Sequence, residues 1–280
     1  MPEGPEIRLA ADKIAAVVEG KPLRRVMFSQ HRLRHFGPQL SGNVVSNIET
    51  RGKALLTHFD NGLSIYSHNQ LYGVWKIASA GKLPKTKRRL RLALHANDYS
   101  ALLYSASDIS VWQTKDLLHH PFLMKLGPDI LDPNVSYCAV ADRLLGWQFL
   151  NRPLHSILMD QAFMAGVGNY LRSEILFQAR LSPKLKPKQL NTLAVELLAN
   201  AILDISRRSY ESKGITLLPQ MRREIQSKQM GRARHRFYVF GRDGQSCYLC
   251  NTTIVRQELG GRRLYWCENC QRDGSDEKSP

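Results

Sequence analysis

The sequence lacks the features that mark membrane and secreted proteins. No apolar run in it approaches the roughly 20 residues that a membrane-spanning helix needs. The start Met1–Glu6 has neither the basic flank nor the apolar segment of a signal peptide. Cysteines are scarce, five in 280 residues, and four of them lie near the end of the chain. We therefore expect a globular protein of the cytoplasm, with reduced thiols and without a membrane partner.

Acidic residues are few relative to basic ones, with 24 Asp and Glu against 40 Lys and Arg and a net charge of +16. Such an excess favours a polyanionic partner, because binding to it releases condensed counterions. The segment from Ser206 to Arg242 contains ten basic residues and two acidic ones. A membrane surface is the weaker alternative, because this stretch has no clean amphipathic face. The charge therefore predicts nucleic acid as the partner.

The first half of the chain has the pattern of one helix followed by many short strands. Apolar residues at helical spacing predict a helix over Pro5–Glu19. Alternating segments with turn residues at Asp60–Gly62 and Ala96–Asp98 predict a β-sandwich or barrel. The predicted strands are Leu23–Phe28, Val44–Thr50, Ala54–Phe59, Leu63–Ser67, Val74–Ala78, Leu90–His95 and Tyr99–Tyr104. The segment Lys82–Arg89 between two of these strands is expected to be a basic loop.

The character of the sequence changes near Leu126–Pro133, where two prolines and a glycine indicate a hinge. The helices predicted after it are Tyr137–Leu145, Leu154–Phe163, Tyr170–Ala179 and Gln189–Ser206. We thus expect a multidomain α+β protein. Its parts are an N-terminal β domain with a leading helix at 1–125, a hinge at 126–132, a helical domain at 133–210, a flexible loop at 211–235, a cysteine-closed hairpin module at 236–272 and a disordered tail at 273–280.

Four cysteines form two CxxC pairs near the end of the chain. They are Cys247, Cys250, Cys267 and Cys270. Two such pairs at this separation predict one tetrahedral zinc ion. Four thiolates leave no open position for a catalytic water, so the zinc is predicted to be structural and to stabilise a module too small for its own core. A β-hairpin with a Gly260–Gly261 turn is predicted between the pairs. Cys138 stands alone and is expected to be buried.

The N-terminus offers a nucleophile. Removal of Met1 is expected before the small residue Pro2 and would leave a secondary amine, whose ordinary pKa is about 7.7–8.0. Glu3 and Glu6 beside it can carry protons. A secondary amine that attacks a sugar C1′ displaces the base and then forms an iminium ion, which promotes elimination of the flanking phosphates. Taken alone, the N-terminus favours the plain alternative, an ordinary Met-Pro start with glutamates that cap a helix.

Three motifs occur in one order and are together far more specific than any one of them. They are the start Pro2–Glu6, the central segment Met159–Leu176 with its Gly166–Asn169 turn, and the four-cysteine module. In this combination the sequence resembles the formamidopyrimidine-DNA glycosylase/endonuclease VIII family over nearly the whole chain. The resemblance implies an N-terminal β-sandwich, a helix-two-turn-helix domain and a zinc finger, with double-stranded DNA bound in the cleft between them. It also implies a monomeric bacterial repair enzyme that is associated with the nucleoid.

The resemblance implies catalytic roles for single residues. Pro2 would be the Schiff-base nucleophile, and Glu3 would donate and accept protons at the sugar ring. Lys53 would bind phosphate and assist β-elimination. Arg262 would bind phosphates and assist δ-elimination, and the sequence does not exclude its neighbour Arg263 for this role.

Further residues are implied to support the site or to bind DNA. Glu6 and Glu174 would complete the acidic wall of the pocket. Asn169 would hold a phosphate at the helix-two-turn-helix, where it is also expected to cap the second helix. Lys125, just before the hinge, would contact the DNA backbone. Three residues would enter the base stack and fill the gap left by an everted nucleotide: Gln70, Leu71 and Tyr72.

The segment that contains Gln70–Tyr72 also bears on the damaged base. It resembles the wedge of the endonuclease VIII branch, whereas the purine-specific branch usually carries a methionine there. Oxidised pyrimidines are therefore the favoured substrate, and oxidised purines are the alternative. The alternative structural interpretation of Gln70–Tyr72 is a buried strand end. The region Glu211–Arg236 lacks the expected lesion-contacting motif. The alternative hypothesis is a non-catalytic DNA-binding zinc protein. The free amine of Pro2 discriminates between this hypothesis and the enzyme.

Overall fold

A computed structural model describes residues 2–228 and 235–271 of the chain. The chain divides between Leu126 and Gly127, inside the predicted hinge, into two compact units. We call the part before this division unit 1 and the part after it unit 2. Among the described residues, no helix has both the length and the apolar character that crossing a membrane requires. The predicted disordered tail at 273–280 lies outside the described residues.

In its described residues, unit 1 contains two helices and eight strands. The helices are α1 at Gly4–Val18 and α2 at Phe36–Leu40. The strands are β1 at Arg25–Phe28, β2 at Val45–Arg51, β3 at Ala54–Phe59, β4 at Leu63–His68, β5 at Val74–Ser79, β6 at Leu90–His95, β7 at Tyr99–Tyr104 and β8 at Asp108–Gln113. They form two four-stranded antiparallel sheets, with the orders β2-β3-β4-β8 and β1-β6-β7-β5. Short 3-10 helices lie at His31–Leu33, Thr114–His119 and Leu123–Lys125.

The core of unit 1 is shared by α1 and both sheets. Helix α1 buries Ile7, Ala11, Ile14 and Val18, which recur on one face at helical spacing. The same hydrophobic cluster contains alternate residues from strands of both sheets. The predicted β-sandwich with a leading helix is therefore confirmed.

Most strands of unit 1 lie where sequence alternation predicts them. The turns at Asp60–Gly62 and Ala96–Asp98 connect β3 to β4 and β6 to β7 as expected. Gly62 has a φ of 77°, the left-handed conformation that glycine adopts without strain. Strand β8 has no counterpart among the predicted strands. It is a half-buried edge strand, and polar residues interrupt its apolar positions.

In its described residues, unit 2 contains five helices and one hairpin. The helices are α3 at Tyr137–Leu145, α4 at Leu154–Ile157, α5 at Asn169–Gln178, α6 at Thr192–Glu211 and α7 at Pro219–Lys228, with a 3-10 turn at Pro187–Gln189. The hairpin consists of β9 at Val255–Leu259 and β10 at Arg262–Trp266. The predicted helix Leu154–Phe163 ends early, at Ile157. The carboxylate of Asp160 accepts the N–H of Ala162 at 2.9 Å and forms a turn that competes with the helix.

Helix α7 corrects the prediction of a flexible loop over Glu211–His235. Pro219 begins this helix, at a position where proline costs no hydrogen bond. Ile225 is buried and Met221 packs beside it, in a cluster that also contains residues of the cysteine module. The apolar residues of α7 therefore pack against the cysteine module, which is distant in sequence, so the local sequence does not reveal the helix. Residues 229–234 of the predicted loop lie outside the described residues.

The cysteine module packs on the helices through its hairpin. The turn residues Gly260 and Gly261 have φ values of 61° and 69°, as the predicted two-residue turn requires. Strand β10 places Leu264 and Trp266 in the helical core, while Tyr265 joins the cluster of the cysteines. Cys138, by contrast, is exposed on α3. Its expected burial is wrong, because the buried face of α3 carries other residues.

The first residues of unit 2 are bound to the loop before α5. The N–H of Gly127 donates to the carbonyl of Gln161 at 2.9 Å, and the N–H of Ile130 donates to that of Ala165 at 3.1 Å. A Cβ atom on Gly127 would lie 2.4 Å from the carbonyl oxygen of Ala162. Within the predicted hinge at 126–132, these residues are thus fixed to unit 2.

We expect Gly127→Ala to lower the free energy of unfolding by about 3 kcal/mol, since backbone would have to move to relieve the overlap. Gly20→Ala is the matched control. Gly20 has a φ of 70° but no atom within 4 Å of an added Cβ, so only conformational strain of about 1 kcal/mol is expected there. Thermal unfolding followed by circular dichroism compares the two variants. Equal effects would show that the close approach at Gly127 is not tight in solution.

Candidate active site and nucleic-acid interface

The N-terminal end of α1 places two glutamates next to Pro2. Glu3 precedes the helix in an extended conformation and is only 2% exposed. Its N–H donates to Oε2 of Glu6 at 3.0 Å, which is half of a capping box. Glu6 also lines a cleft of about 460 Å³ between α1 and β5. In a chain that keeps Met1, the nitrogen of Pro2 is an amide, so only processing would create the amine.

Lys53 lies in the turn between β2 and β3, after Gly52 with its φ of 59°. It is 6% exposed, which is unusual for a lysine and argues against an ordinary surface residue. Its neighbour Ala54 pairs with His68 across β3 and β4. Lys53 therefore lies at the end of the sheet where β4 terminates.

The segment after β4 exposes apolar side chains on a closed turn. Leu71 is 61% exposed and Tyr72 is 71% exposed, so the alternative of a buried strand end is wrong. The N–H of Gly73 donates to the carbonyl of Asn69 at 2.7 Å and closes the turn. A Cβ atom on Gly73 would lie 2.4 Å from that carbonyl oxygen, so only glycine fits. We call residues Gln70–Tyr72 the wedge loop.

Side chains beneath the wedge loop hold its first residue. Gln70 has a φ of 51°, and its N–H donates to Nδ1 of His68 at 3.1 Å. The hydroxyl of Ser107 donates to Oε1 of Gln70 at 2.9 Å. Burial lowers the pKa of His68, the charge of Lys53 acts in the same direction, and Asp108 opposes both. A neutral imidazole keeps Nδ1 able to accept the hydrogen bond.

In unit 2, the start of α5 is tied to the hairpin. Nδ2 of Asn169 donates to the carbonyl of Arg263 at 2.6 Å. Arg172 donates to the same carbonyl at 3.2 Å and to Oδ1 of Asn169 at 2.7 Å. Asn169 is the first residue of α5 and Gly168 the N-cap, which corrects the expected capping role. Arg172 is 1% exposed, and the sequence does not reveal its importance because an arginine in a helix usually faces solvent.

The two candidate arginines of the hairpin point to opposite faces. Both are exposed at the start of β10. Because side chains alternate along a strand, Arg262 shares the face of Leu264 and Trp266, which pack in the helical core. Arg263 shares the face of Tyr265, which packs with the cysteines.

The carboxylate of Glu174 is buried inside unit 2 and is fully engaged there. It accepts the N–H groups of Tyr238, Val239 and Phe240 at 2.8–2.9 Å and the hydroxyl of Thr216 at 2.5 Å. Burial raises the pKa of Glu174, and these hydrogen bonds oppose the rise. Its predicted place in the wall of a substrate pocket is corrected, because the side chain is 0% exposed and connects α5 to the segment before the cysteines.

Several arginines of the basic segment Ser206–Arg242 also serve the structure. Arg208 donates to the carbonyl of Thr216 at 3.0 Å, and Arg236 donates to that of Gly214 at 2.8 Å. Arg242 is 9% exposed, donates to carbonyl oxygens and stacks on the ring of Tyr248. The charge of this segment is thus partly used to stabilise unit 2, which a count of charges cannot reveal.

The four cysteine sulfurs lie within 4.8 Å of one another. The Sγ atoms of Cys247 and Cys270 are 3.8 Å apart, and those of Cys250 and Cys267 are 3.4 Å apart. Tetrahedral zinc with bonds of about 2.3 Å to sulfur would place neighbouring sulfurs about 3.8 Å apart, far beyond a disulfide bond of about 2.05 Å. The donor set therefore fits a metal ion such as zinc.

The remaining predicted residue, Lys125, ends an exposed 3-10 turn in unit 1. The predicted site residues thus fall into two groups. Unit 1 holds Pro2, Glu3, Glu6, Lys53, the wedge loop and Lys125, and unit 2 holds Asn169, Glu174, Arg262 and the four cysteines.

Comparison with known proteins gives two family matches and close relatives. Residues 1–107 match the formamidopyrimidine-DNA glycosylase N-terminal domain, and residues 126–220 match the H2TH domain of the same glycosylase. Endonuclease 8 of Escherichia coli is 48% identical over 271 residues, which cover 97% of this chain and 100% of that protein. Endonuclease 8 of Shigella sonnei is 49% identical over the same shares of the two chains.

Solved structures with the same fold are more distant in sequence. A complex of Lactococcus lactis Fpg with THF-DNA and an inhibitor has a TM-score of 0.80 and 20% identity, and covers 97% of this chain and 100% of that one. A complex of the same protein with DNA that contains an abasic site also has a TM-score of 0.80 and 20% identity, over 96% and 99% of the two chains. At this identity the likeness concerns the fold.

We expect Glu174→Gln to lower the Tm by about 5–10 °C, because an amide turns its NH2 group toward backbone N–H donors and leaves at least one unpaired. Glu196→Gln, an exposed change of the same chemistry on α6, is the control and should shift the Tm by less than about 2 °C. Thermal unfolding of both variants is the measurement. A Tm of Glu174→Gln equal to that of the control would contradict the structural role.

Metal analysis should find one zinc ion per chain. Chelation is expected to release it and to abolish DNA binding, because the module has little core of its own without the metal. Atomic absorption and a binding titration before and after chelation measure the two effects. DNA binding that persists after complete loss of metal would exclude a structural role of the cluster in binding.

Proposed function

The chain belongs to the family of formamidopyrimidine-DNA glycosylases and endonuclease 8, and we propose that it excises oxidised pyrimidines from DNA and cleaves the strand by β,δ-elimination. It is an enzyme of base excision repair, a DNA glycosylase and AP lyase. The observation that carries the proposal is the buried carboxylate of Glu3 directly after Pro2. The capping box, in which the Glu3 side chain accepts the backbone N–H of Glu6, holds this carboxylate next to Pro2.

In the proposed reaction, the lone pair of the Pro2 nitrogen forms a bond to C1′ of the damaged nucleotide. The bond from C1′ to the base breaks, its electron pair leaves with the base, and the base takes up the proton that the Pro2 nitrogen loses. Glu3 gives a proton to O4′ as the sugar ring opens, which leaves an iminium ion that has no N–H to lose. The iminium acidifies the proton at C2′, whose loss expels the 3′ phosphate; a second elimination then expels the 5′ phosphate.

The other residues are proposed to act around this centre. The buried ammonium of Lys53 supplies positive charge for a phosphate that leaves. Arg262 is proposed to bind phosphates in preference to Arg263, since it lies on the strand face that is directed to the helices. Asn169 would hold a phosphate beside it, and Lys125 would contact the DNA backbone. Glu6, which accepts the N–H of Glu3, would keep that residue in position.

The wedge loop supports the preference for oxidised pyrimidines. Leu71 and Tyr72 are exposed apolar side chains on a closed turn, which suits insertion into a base stack. Relatives that are 48–49% identical carry the name endonuclease 8. The proposed partner is double-stranded DNA with a damaged base or an abasic site. We further propose a monomer in the cytoplasm, near the nucleoid, with one structural zinc ion.

Borohydride should trap a covalent adduct between the processed protein and a duplex that contains one thymine glycol. The adduct requires the imine, so Pro2→Gly combined with Glu3→Gln is expected to lower trapping at least about 100-fold. Asp98→Asn, the same carboxylate-to-amide change at an exposed turn, serves as the control and should trap normally. Mass spectrometry establishes that Met1 is absent.

Two outcomes would overturn parts of the proposal. Trapping that fails with processed protein, although DNA is bound, would favour a non-catalytic DNA-binding protein. Cleavage of 8-oxoguanine duplexes faster than thymine glycol duplexes would reject the pyrimidine preference and leave the lyase chemistry in place.

A further inference from the structure

The basic loop Lys82–Arg89 between β5 and β6 has no role in the function proposed above. Five of its eight residues are Lys or Arg, and none is acidic. Lys85, Lys87 and Arg89 are exposed, and among the described residues no acidic side chain forms an ion pair with them. Arg208 and Arg236 of unit 2, by contrast, donate to carbonyl oxygens. The charge of this loop is available to a partner.

The sheet brings the end of the basic loop to the wedge loop. Val74, directly after the wedge loop and Gly73, pairs with Tyr104 on one side of β7. Leu90, directly after Arg89, pairs with Tyr104 on the other side. The two loops therefore leave the same end of the sheet, one strand apart.

A direct hydrogen bond also connects the loops. The guanidinium of Arg88 donates to the carbonyl of Tyr72 at 2.5 Å. Tyr72 itself is 71% exposed, so this bond reaches the backbone of the loop and leaves the aromatic ring accessible. Arg88 thus fixes the end of the wedge loop, opposite to the end that His68 and Ser107 hold.

We propose that the basic loop is a second DNA-backbone-binding surface, which binds phosphates beside the wedge loop and is coupled to it through Arg88. The partner is duplex DNA, because clustered lysines and arginines that are free of acidic partners match a row of phosphates. The proposal rests on the proposed insertion of the wedge loop. Arg88 is a positioning residue, and Lys85, Lys87 and Arg89 bind phosphate.

The salt dependence of binding tests the phosphate contacts. The triple variant K85Q/K87Q/R89Q should bind a duplex with an abasic-site analogue with a slope of log K against log salt that is smaller by about 2–3, since each phosphate contact contributes about 0.9. The control K21Q/R24Q/R25Q removes the same charge at the other end of β6, where Arg25 pairs with His95. Its slope should change by less than about 1. A slope loss in the triple variant no larger than that of the control would overturn the proposal.

A fluorescent base tests the coupling through Arg88. R88Q and R89Q lose the same charge, but only R88Q loses the bond to Tyr72. With 2-aminopurine next to the abasic-site analogue and saturating protein, R88Q should give less than half the fluorescence increase of R89Q, because the wedge loop separates the bases less fully. Equal increases would overturn the coupling. Borohydride trapping by the wild-type protein distinguishes failure of the proposed function from failure of the basic-loop proposal. If trapping fails, the proposed chemistry is wrong. The change in salt slope tests the basic loop alone.

Discussion

The arrangement of unit 2 depends on one buried negative charge, the carboxylate of Glu174. A carboxylate without partners would be too costly to bury, and here four donors surround it. Three of these donors are consecutive backbone N–H groups at 238–240, so the charge fixes the course of the chain as it enters the cysteine module. Helix α5 carries Glu174 on its buried side and packs against β10. The same helix therefore positions both ends of a module that has little core of its own.

A second feature recurs in both units. Packing does not position the exposed side chains at the tips of the wedge loop and the hairpin, and hydrogen bonds to their backbone do so instead. Asn169 and Arg172 hold the carbonyl of Arg263 beneath the tip of the hairpin. Arg88 holds the carbonyl of Tyr72 in the wedge loop. Loops that are held before binding lose less conformational entropy when they bind.

The positive charge of the chain has two different uses. Arginines of the segment Ser206–Arg242 donate to carbonyl oxygens, and Arg242 is almost fully buried. Lysines and arginines of the loop Lys82–Arg89 are exposed and lie beside the wedge loop. Both segments look alike in a count of charges. A guanidinium group can serve both uses, since its several donors can satisfy carbonyl groups inside a fold as well as phosphates outside it.

The sequence by itself determined the helix α1, most strands of the sandwich, the cysteine pairs and their hairpin. These depend on spacing, turn glycines and ligand geometry, which are local properties. It also indicated Pro2 and Glu3, although only the combination with distant motifs made that interpretation favoured over an ordinary Met-Pro start. Tertiary structure alone decided that Glu174 is buried, that α7 exists and that Arg172 lies inside. Each of these depends on a partner far along the chain, because a buried charge or a marginal helix is stable only where another segment supplies the hydrogen bonds or the apolar contact.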